Sequence, residues 1–253
     1  MTHLKRSRIP VTWPMSRKRE KFAVTPSPGP HPKAGCMPLR LILRDILDYA
    51  DSAREARSIL SQGKVLVDKR SRKSSRFPVG LMDVIEIPGA RQCFRAMVST
   101  RGLGLEKIEE SEASRKTCKI TGKTTIKGGL QQLNLHDGRN IPVKKDAYKV
   151  GDSVRISLPD QKILKHYALE KGARGFITAG RNIGIWGRIK DIEERKHSLE
   201  KSTVTLDAGE KEIKTLRGYI FIAEGGRPRS EKPPGKAEKP EIKRKAAKAR
   251  EKK

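Results

Sequence analysis

Basic side chains supply the chemistry that this sequence offers most clearly. Arg40 and Arg44 are four residues apart and Arg54 and Arg57 three apart; Lys64, Lys69, Arg70, Arg72, Lys73 and Arg76 follow, with Asp68 the only acid between Gly63 and Phe77. On a helix such spacings share a face, and like charges there repel by about 0.2–0.5 kcal/mol. The clustering costs stability unless a polyanion neutralises it. The expected chemistry is therefore phosphate binding, which positions a protein on a nucleic acid without reading its sequence. A solvated basic surface is the plainer alternative.

A second constellation is Gly180-Arg181-Asn182-Ile183-Gly184-Ile185-Trp186-Gly187-Arg188-Ile189. Gly or Asn stands wherever a tight turn or bulge needs unusual backbone angles. Gly180, Asn182 and Gly184 would let the backbone approach a phosphate or a splayed base, with Arg181 at the tip and Arg188 following. Trp186 either stacks on a base or fills the core, and in so small a unit core is the commoner role.

Bond-making motifs fail on inspection. Gly122-Lys123-Thr124 lacks the first glycine of a phosphate-binding loop, because Thr117 stands there. Gly102-Leu103-Gly104 reaches Lys107 instead of a third glycine. His136-Asp137 sits at a hairpin turn with no recognisable nucleophile, and Cys36, Cys93 and Cys118 share no ligand spacing with the five histidines. No catalytic residue, metal, cofactor or small-molecule substrate is expected.

The elements that must position these groups are legible from periodicity. Pro38 can open a helix carrying Leu39, Ile42, Leu43, Ile46, Leu47 and Ala50 on one stripe. Ser52 and Glu55 make a capping box for a second helix with Ala53, Ala56, Ile59 and Leu60 inward, and Gly63 stops it. Val65–Val67 and Leu81–Ile87 read as strands flanking the basic connector. From 91 to 171 the signals are strands: Cys93–Val98, Thr117–Ile120, a hairpin at Asp137-Gly138 and Ser153–Leu158. A smaller unit, 172–224, holds strands at Phe176–Ala179, Ile185–Ile192, Thr203–Leu206 and Tyr219–Ala223.

Composition narrows the partner. The 253 residues carry 57 Lys and Arg against 29 Asp and Glu, a formal charge of +28, which argues against an enzyme of small neutral substrates and for a polyanion. No run approaches the roughly 20 apolar residues of a membrane span, and the N-terminus leads into Pro, Ser and charge instead of an apolar signal core; a cytosolic setting is expected. Residues 1–37 and 225–253 show no apolar period. Sixteen of the 28 excess charges lie at the two ends, within 1–40 and 227–253. Both are expected to be extended or disordered arms that order only on binding, the first presenting Lys5, Arg6, Arg8, Arg17, Lys18 and Arg19.

The chain resembles the S-four-e family of small-subunit ribosomal proteins, archaeal and eukaryotic in type, over about residues 3–224. The likeness is carried by His3-Leu4-Lys5-Arg6, Pro28-Gly29-Pro30-His31, Tyr49-Ala50, Val65-Leu66-Val67-Asp68-Lys69, Phe77 through Ile85, Leu135 through Ile141 and Lys149-Val150-Gly151-Asp152, in this order. The resemblance implies an α+β, multi-module fold: an S-four-type RNA-binding domain over 38–90, a central mostly-β domain over 91–171, and a KOW-type SH3-like barrel over 172–224. RNA contacts of the S-four-type domain would then fall on Arg54, Arg57, Lys64 and the connector, and the positions that match the KOW motif are Gly180, Asn182, Gly184, Gly187 and Ile189. Ile185 replaces a residue often basic in the family.

The expected function is that of a structural constituent of the small ribosomal subunit, partnered by its ribosomal RNA and neighbouring ribosomal proteins, with no membrane partner. A pseudouridine-synthase-like RNA-modifying enzyme is the main rival, but the Arg-Leu-Asp catalytic context it needs is missing. A KOW-bearing transcription factor or a ribosome-associated RNA chaperone is the other.

Overall fold

The apolar stripe that begins at Leu39 is buried in the computed structural model, which describes residues 4–18, 21–144, 147–194, 202–209 and 211–224. It is not one regular α-helix. An α-helical turn, Leu39–Leu41, widens into a π turn, Ile42–Ile46, in which the Leu47 N–H donates to Ile42 O at 2.9 Å. Leu39, Leu41, Ile42 and Leu43 are all buried. The turn is therefore apolar on more than one side, and tertiary packing overrides the regular 3.6-residue period. Asp48, with φ of 53°, ends it, so Ala50 lies outside the helix.

The second helix, Ala53–Ser61, forms as its capping box demands. The Glu55 N–H donates to Ser52 Oγ at 3.1 Å, and Glu55 Oε2 accepts from the Asp51 N–H at 2.9 Å. Ala56 and Leu60 are buried beneath it. The connector is more ordered than expected: Leu66–Val67 and Arg70–Ser71 pair across a two-residue turn at Asp68 and Lys69, both left-handed.

Three five-stranded antiparallel sheets follow. The first orders Arg70–Ser71, Leu66–Val67, Val84–Ile87, Gln92–Ser99 and Gly102–Ile108, so it continues across residue 90, where a domain boundary was expected. The second orders Asn140–Val143, Gln131–Leu135, Arg115–Thr125, Ser153–Ser157 and Ile163–Tyr167. The third orders Glu212–Leu216, Thr203–Asp207, Trp186–Glu193, Arg174–Ile177 and Ile220–Ile222. Each has its own apolar cluster, and a further cluster of Met82, Met97, Phe176, Phe221 and Ala223 joins the first sheet to the third. The architecture is mixed α+β, mostly strands with few helices.

The N-terminal segment departs from the expected extended arm. Leu4–Lys5 pairs with Phe22–Ala23, and Leu4, Ile9, Trp13 and Val24 are buried in the same core as Leu39 and Phe94. Trp13 Nε1 donates to Cys36 O at 2.6 Å, and the Leu103 N–H donates to Thr12 O at 2.7 Å. Isolated apolar residues with no period carry no secondary-structure signal, yet each can still enter a neighbouring core. Arg19 and the tail 225–253 lie outside the described residues.

Candidate nucleic-acid interface

The capped helix and the connector meet at the helix C-terminus. Ser71 Oγ donates to Gly63 O at 3.2 Å, and Lys73 Cε lies 3.9 Å from where a Cβ on Gly63 would stand. Its ammonium therefore accompanies the negative end of the helix dipole. Arg54, Arg57, Lys64, Arg70 and Lys73 are all exposed, and none has a carboxylate partner among the described residues. Arg72 crosses the ring of Phe77, its Cζ 4.4 Å from the centroid, and Arg40 is half-buried where its N–H donates to Ser75 O.

Other expected contacts are spent within the protein. Arg6 is only 3% exposed, and its Nε donates to Ser16 O at 2.5 Å; it holds the N-terminal segment together instead of reaching outward. Arg44 pairs with Asp45 at 3.1 Å, and Lys69 with Glu86 at 2.8 Å. The partner of Arg44 is its neighbour in the sequence, whereas Glu86 reaches Lys69 only through the pairing of Leu66 with Glu86 in the sheet. Lys5, Arg8, Arg17 and Lys18 remain exposed.

The glycine-rich turn also faces partly inward. Gly184 has φ of 78°, and a Cβ there would stand 2.6 Å from the Ser99 carbonyl carbon. The backbone this glycine admits is thus the protein's own hairpin tip, not a phosphate. Trp186 is half-buried, its ring 4.6 Å from that of Phe176, which fits core packing over base stacking. Arg181 and Arg188 are exposed, as is Gly180, and Asn182 is half-buried.

A buried ionic cluster holds the first module to the second sheet. Lys116 Nζ lies 2.6 Å from Asp83, 2.8 Å from Asp68 and 2.9 Å from Asp137, with its side chain fully enclosed. Arg139 reaches Asp68 and Asp137, and His31 reaches Asp83 at 3.0 Å. Burial pushes the Asp83 carboxyl up, but Lys116 and His31 outweigh it and hold it below the usual range. Burial and Asp83 leave Asp68 raised. Burial likewise opposes the Lys116 charge, yet the surrounding aspartates raise its pKa well above that of an ordinary lysine. The signal for this cluster was in the sequence: Lys116, Cys118 and Ile120 alternate on one face of a strand, and a lysine among core residues needs a buried partner.

Cys118, His136 and Asp137 bring their donor atoms within 4.8 Å of one another. They are already engaged. His136 Nδ1 accepts from the Lys119 N–H, Nε2 faces Leu81 O, and Asp137 is paired with Lys116. The imidazole therefore has no lone pair left for a metal. Lys119 clasps the third sheet, donating to Gly218 O and Ile220 O at 2.7 and 2.6 Å; burial, then Arg217, lowers its pKa to about 8. No helix among the described residues is long and apolar enough to cross a membrane.

Known proteins resemble this chain along most of its length. Residues 2–34 match the RS4NT (NUC023) domain, 43–85 the S4 domain and 91–163 the Ribosomal family S4e. The small ribosomal subunit protein eS4 of Methanothermobacter thermautotrophicus is 48% identical over 221 residues, covering 87% of this chain and 91% of that protein. Its counterpart in Methanocaldococcus jannaschii is 46% identical, covering 87% and 93%. The crystal structure of the 30S ribosomal protein S4e from Thermoplasma acidophilum superposes with a TM-score of 0.66 at 34% identity, over 74% of this chain and 94% of that one. With an S4 domain between the RS4NT and S4e matches and identity of this order along most of its length, the chain belongs to the ribosomal S4e family.

Proposed function

We propose that the chain is a structural, non-enzymatic component of the small ribosomal subunit, laid on ribosomal RNA through the helix Ala53–Ser61 and the connector that follows it. The observation that carries this is the group Arg54, Arg57, Lys64, Arg70 and Lys73: exposed, carried on one helix and the connector that follows it, and without carboxylate partners among the described residues. Each phosphate so neutralised releases counterions, so affinity falls with log salt by about 0.7–0.9 per contact.

The finer parts of the reading rest on resemblance. The third sheet, whose last strand Ile220–Ile222 pairs beside Arg174–Ile177, is taken as an SH3-like barrel of KOW type with Arg181 and Arg188 toward RNA. Lys5, Arg8, Arg17 and Lys18 extend the surface at the N-terminus, and the tail 225–253 supplies a basic arm threaded between RNA helices. Neighbouring ribosomal proteins and a cytoplasmic setting follow from that placement.

Gradient sedimentation of a cell extract at high salt tests the assignment. The chain should travel with the small subunit in stoichiometric amount; recovery solely at the top of the gradient would sink it.

A further inference from the structure

The turn at Gly180–Asn182 forms one wall of an open groove of about 300 Å³, whose other walls include Thr203, Lys214 and Tyr219. The aromatic rings of this unit divide sharply. Phe176, Phe221 and Trp186 pack on one another toward the first sheet, whereas Tyr219 is 38% exposed at the groove. Its backbone is fixed, because Tyr219 O accepts from both the N–H and Oγ1 of Thr178, at 2.7 and 2.9 Å.

Gly180 keeps the ring open. A Cβ at that position would stand 3.6 Å from Tyr219 Cδ2 and Cε2, so any larger residue would cover the ring on that side, and φ of 93° disfavours one in any case. The groove is also suited to an anion. The Arg181 side carries this: Arg181 is exposed without a carboxylate partner among the described residues, whereas on the far wall Lys214 and Thr203 Oγ1 are both held by Glu193, at 2.8 and 3.1 Å.

We propose that this groove binds one unpaired nucleotide of RNA, its base stacked on Tyr219 and its phosphate against Arg181. Paired bases are already stacked on both faces within a duplex, so an aromatic platform takes only a base splayed out of it. The proposal rests on the RNA-binding reading above and adds to it a single-stranded subsite, with Tyr219 in place of Trp186 as the stacking ring.

The test uses the full chain and fluorescent oligouridylate, with salt raised until a short RNA duplex no longer binds, so that phosphate attraction alone is screened. Tyr219→Ala should weaken oligouridylate binding about 5- to 100-fold, and Tyr219→Phe, which keeps the ring, by no more than about twofold. Ultraviolet cross-linking should place uridine on Tyr219. Thermal melting of both variants, unchanged from the parent, establishes that the fold is intact. Equal binding by Tyr219→Ala and the parent, failure of the parent to bind oligouridylate under these conditions, or a cross-link found only elsewhere would each overturn the proposal. Arg54→Glu keeps the two readings apart: if it still weakens binding to small-subunit RNA while Tyr219→Ala changes nothing, the stacking subsite falls and the ribosomal role stands.

Discussion

Lys116 Nζ lies 2.6 Å from Asp83 Oδ1, joining a strand of the second sheet to the turn that precedes Val84 in the first. Neither side chain reaches solvent appreciably, and three aspartates share the one lysine. Removing a single partner from a buried ion cluster leaves uncompensated charge. Lys116→Met should therefore cost about 3–5 kcal/mol, read as a lowered denaturant midpoint. A loss below about 1 kcal/mol would show that the aspartates are neutralised some other way.

Acid should weaken the fold in two stages. Burial, with Lys116 adding to it, lowers the His136 pKa from 6.5 to about 4. The unfolded chain thus takes up this proton at higher pH than the folded chain, and stability present above pH 6.5 is lost as pH falls toward 4, on the order of 2–3 kcal/mol. Asp83 and Asp137, both held below the ordinary carboxylate range, are fully stabilising above about pH 4 and lose that contribution only at lower pH. Asp68, raised, works in the opposite sense. Thermal midpoints of the parent and His136→Gln between pH 7 and 4 check this; the variant should show a shallower decline.

The N-terminal segment should matter for folding as well as for RNA. Trp13 is buried and hydrogen-bonded to Cys36 O, so Trp13→Ala should cost about 3–5 kcal/mol. Deleting residues 1–30 should lower the melting temperature and also reduce incorporation into subunits. A freely extended arm would leave the melting temperature unchanged.

Charge substitutions should separate two classes of arginine. Arg54→Ala and Arg57→Ala should each reduce the slope of log affinity against log salt by about 0.7–0.9, with stability nearly unaltered. Arg6→Ala should do the reverse, because its guanidinium is enclosed and bound to Ser16 O. Binding isotherms at several salt concentrations, paired with denaturation curves, decide between them.

Gly184→Ala tests the inward reading of the glycine turn. Its Cβ would meet the backbone of Ser99 and Thr100 below 3 Å, at a φ that L-residues rarely adopt. The expected result is a loss of roughly 1–3 kcal/mol of stability. Weakened RNA binding with unchanged stability would instead place phosphate at this turn.

What the sequence determined by itself was local and additive. The capping box at Ser52 and Glu55, the alternation of strands after residue 91 and the concentration of Arg and Lys between Arg54 and Lys73 each depend on residues within a few positions of one another, where periodicity and charge can be read directly. The ordered motifs from His3 to Asp152 likewise pointed to the S4e family. What only the tertiary structure decided was where separate segments meet. Leu4, Ile9, Trp13 and Val24 gain their burial from a core built by other elements, so an aperiodic segment read as a free arm is in fact docked. Arg6 and Lys69 look like any other cation until long-range pairing gives them partners at Ser16 and Glu86. Lys116, Asp68, Asp83 and Asp137 are spread across some 70 residues, and only the contact between two sheets makes one buried cluster of them. Exposure and pairing are properties of the assembled surface. A sequence therefore names the charges, and the fold selects which of them remain free for RNA.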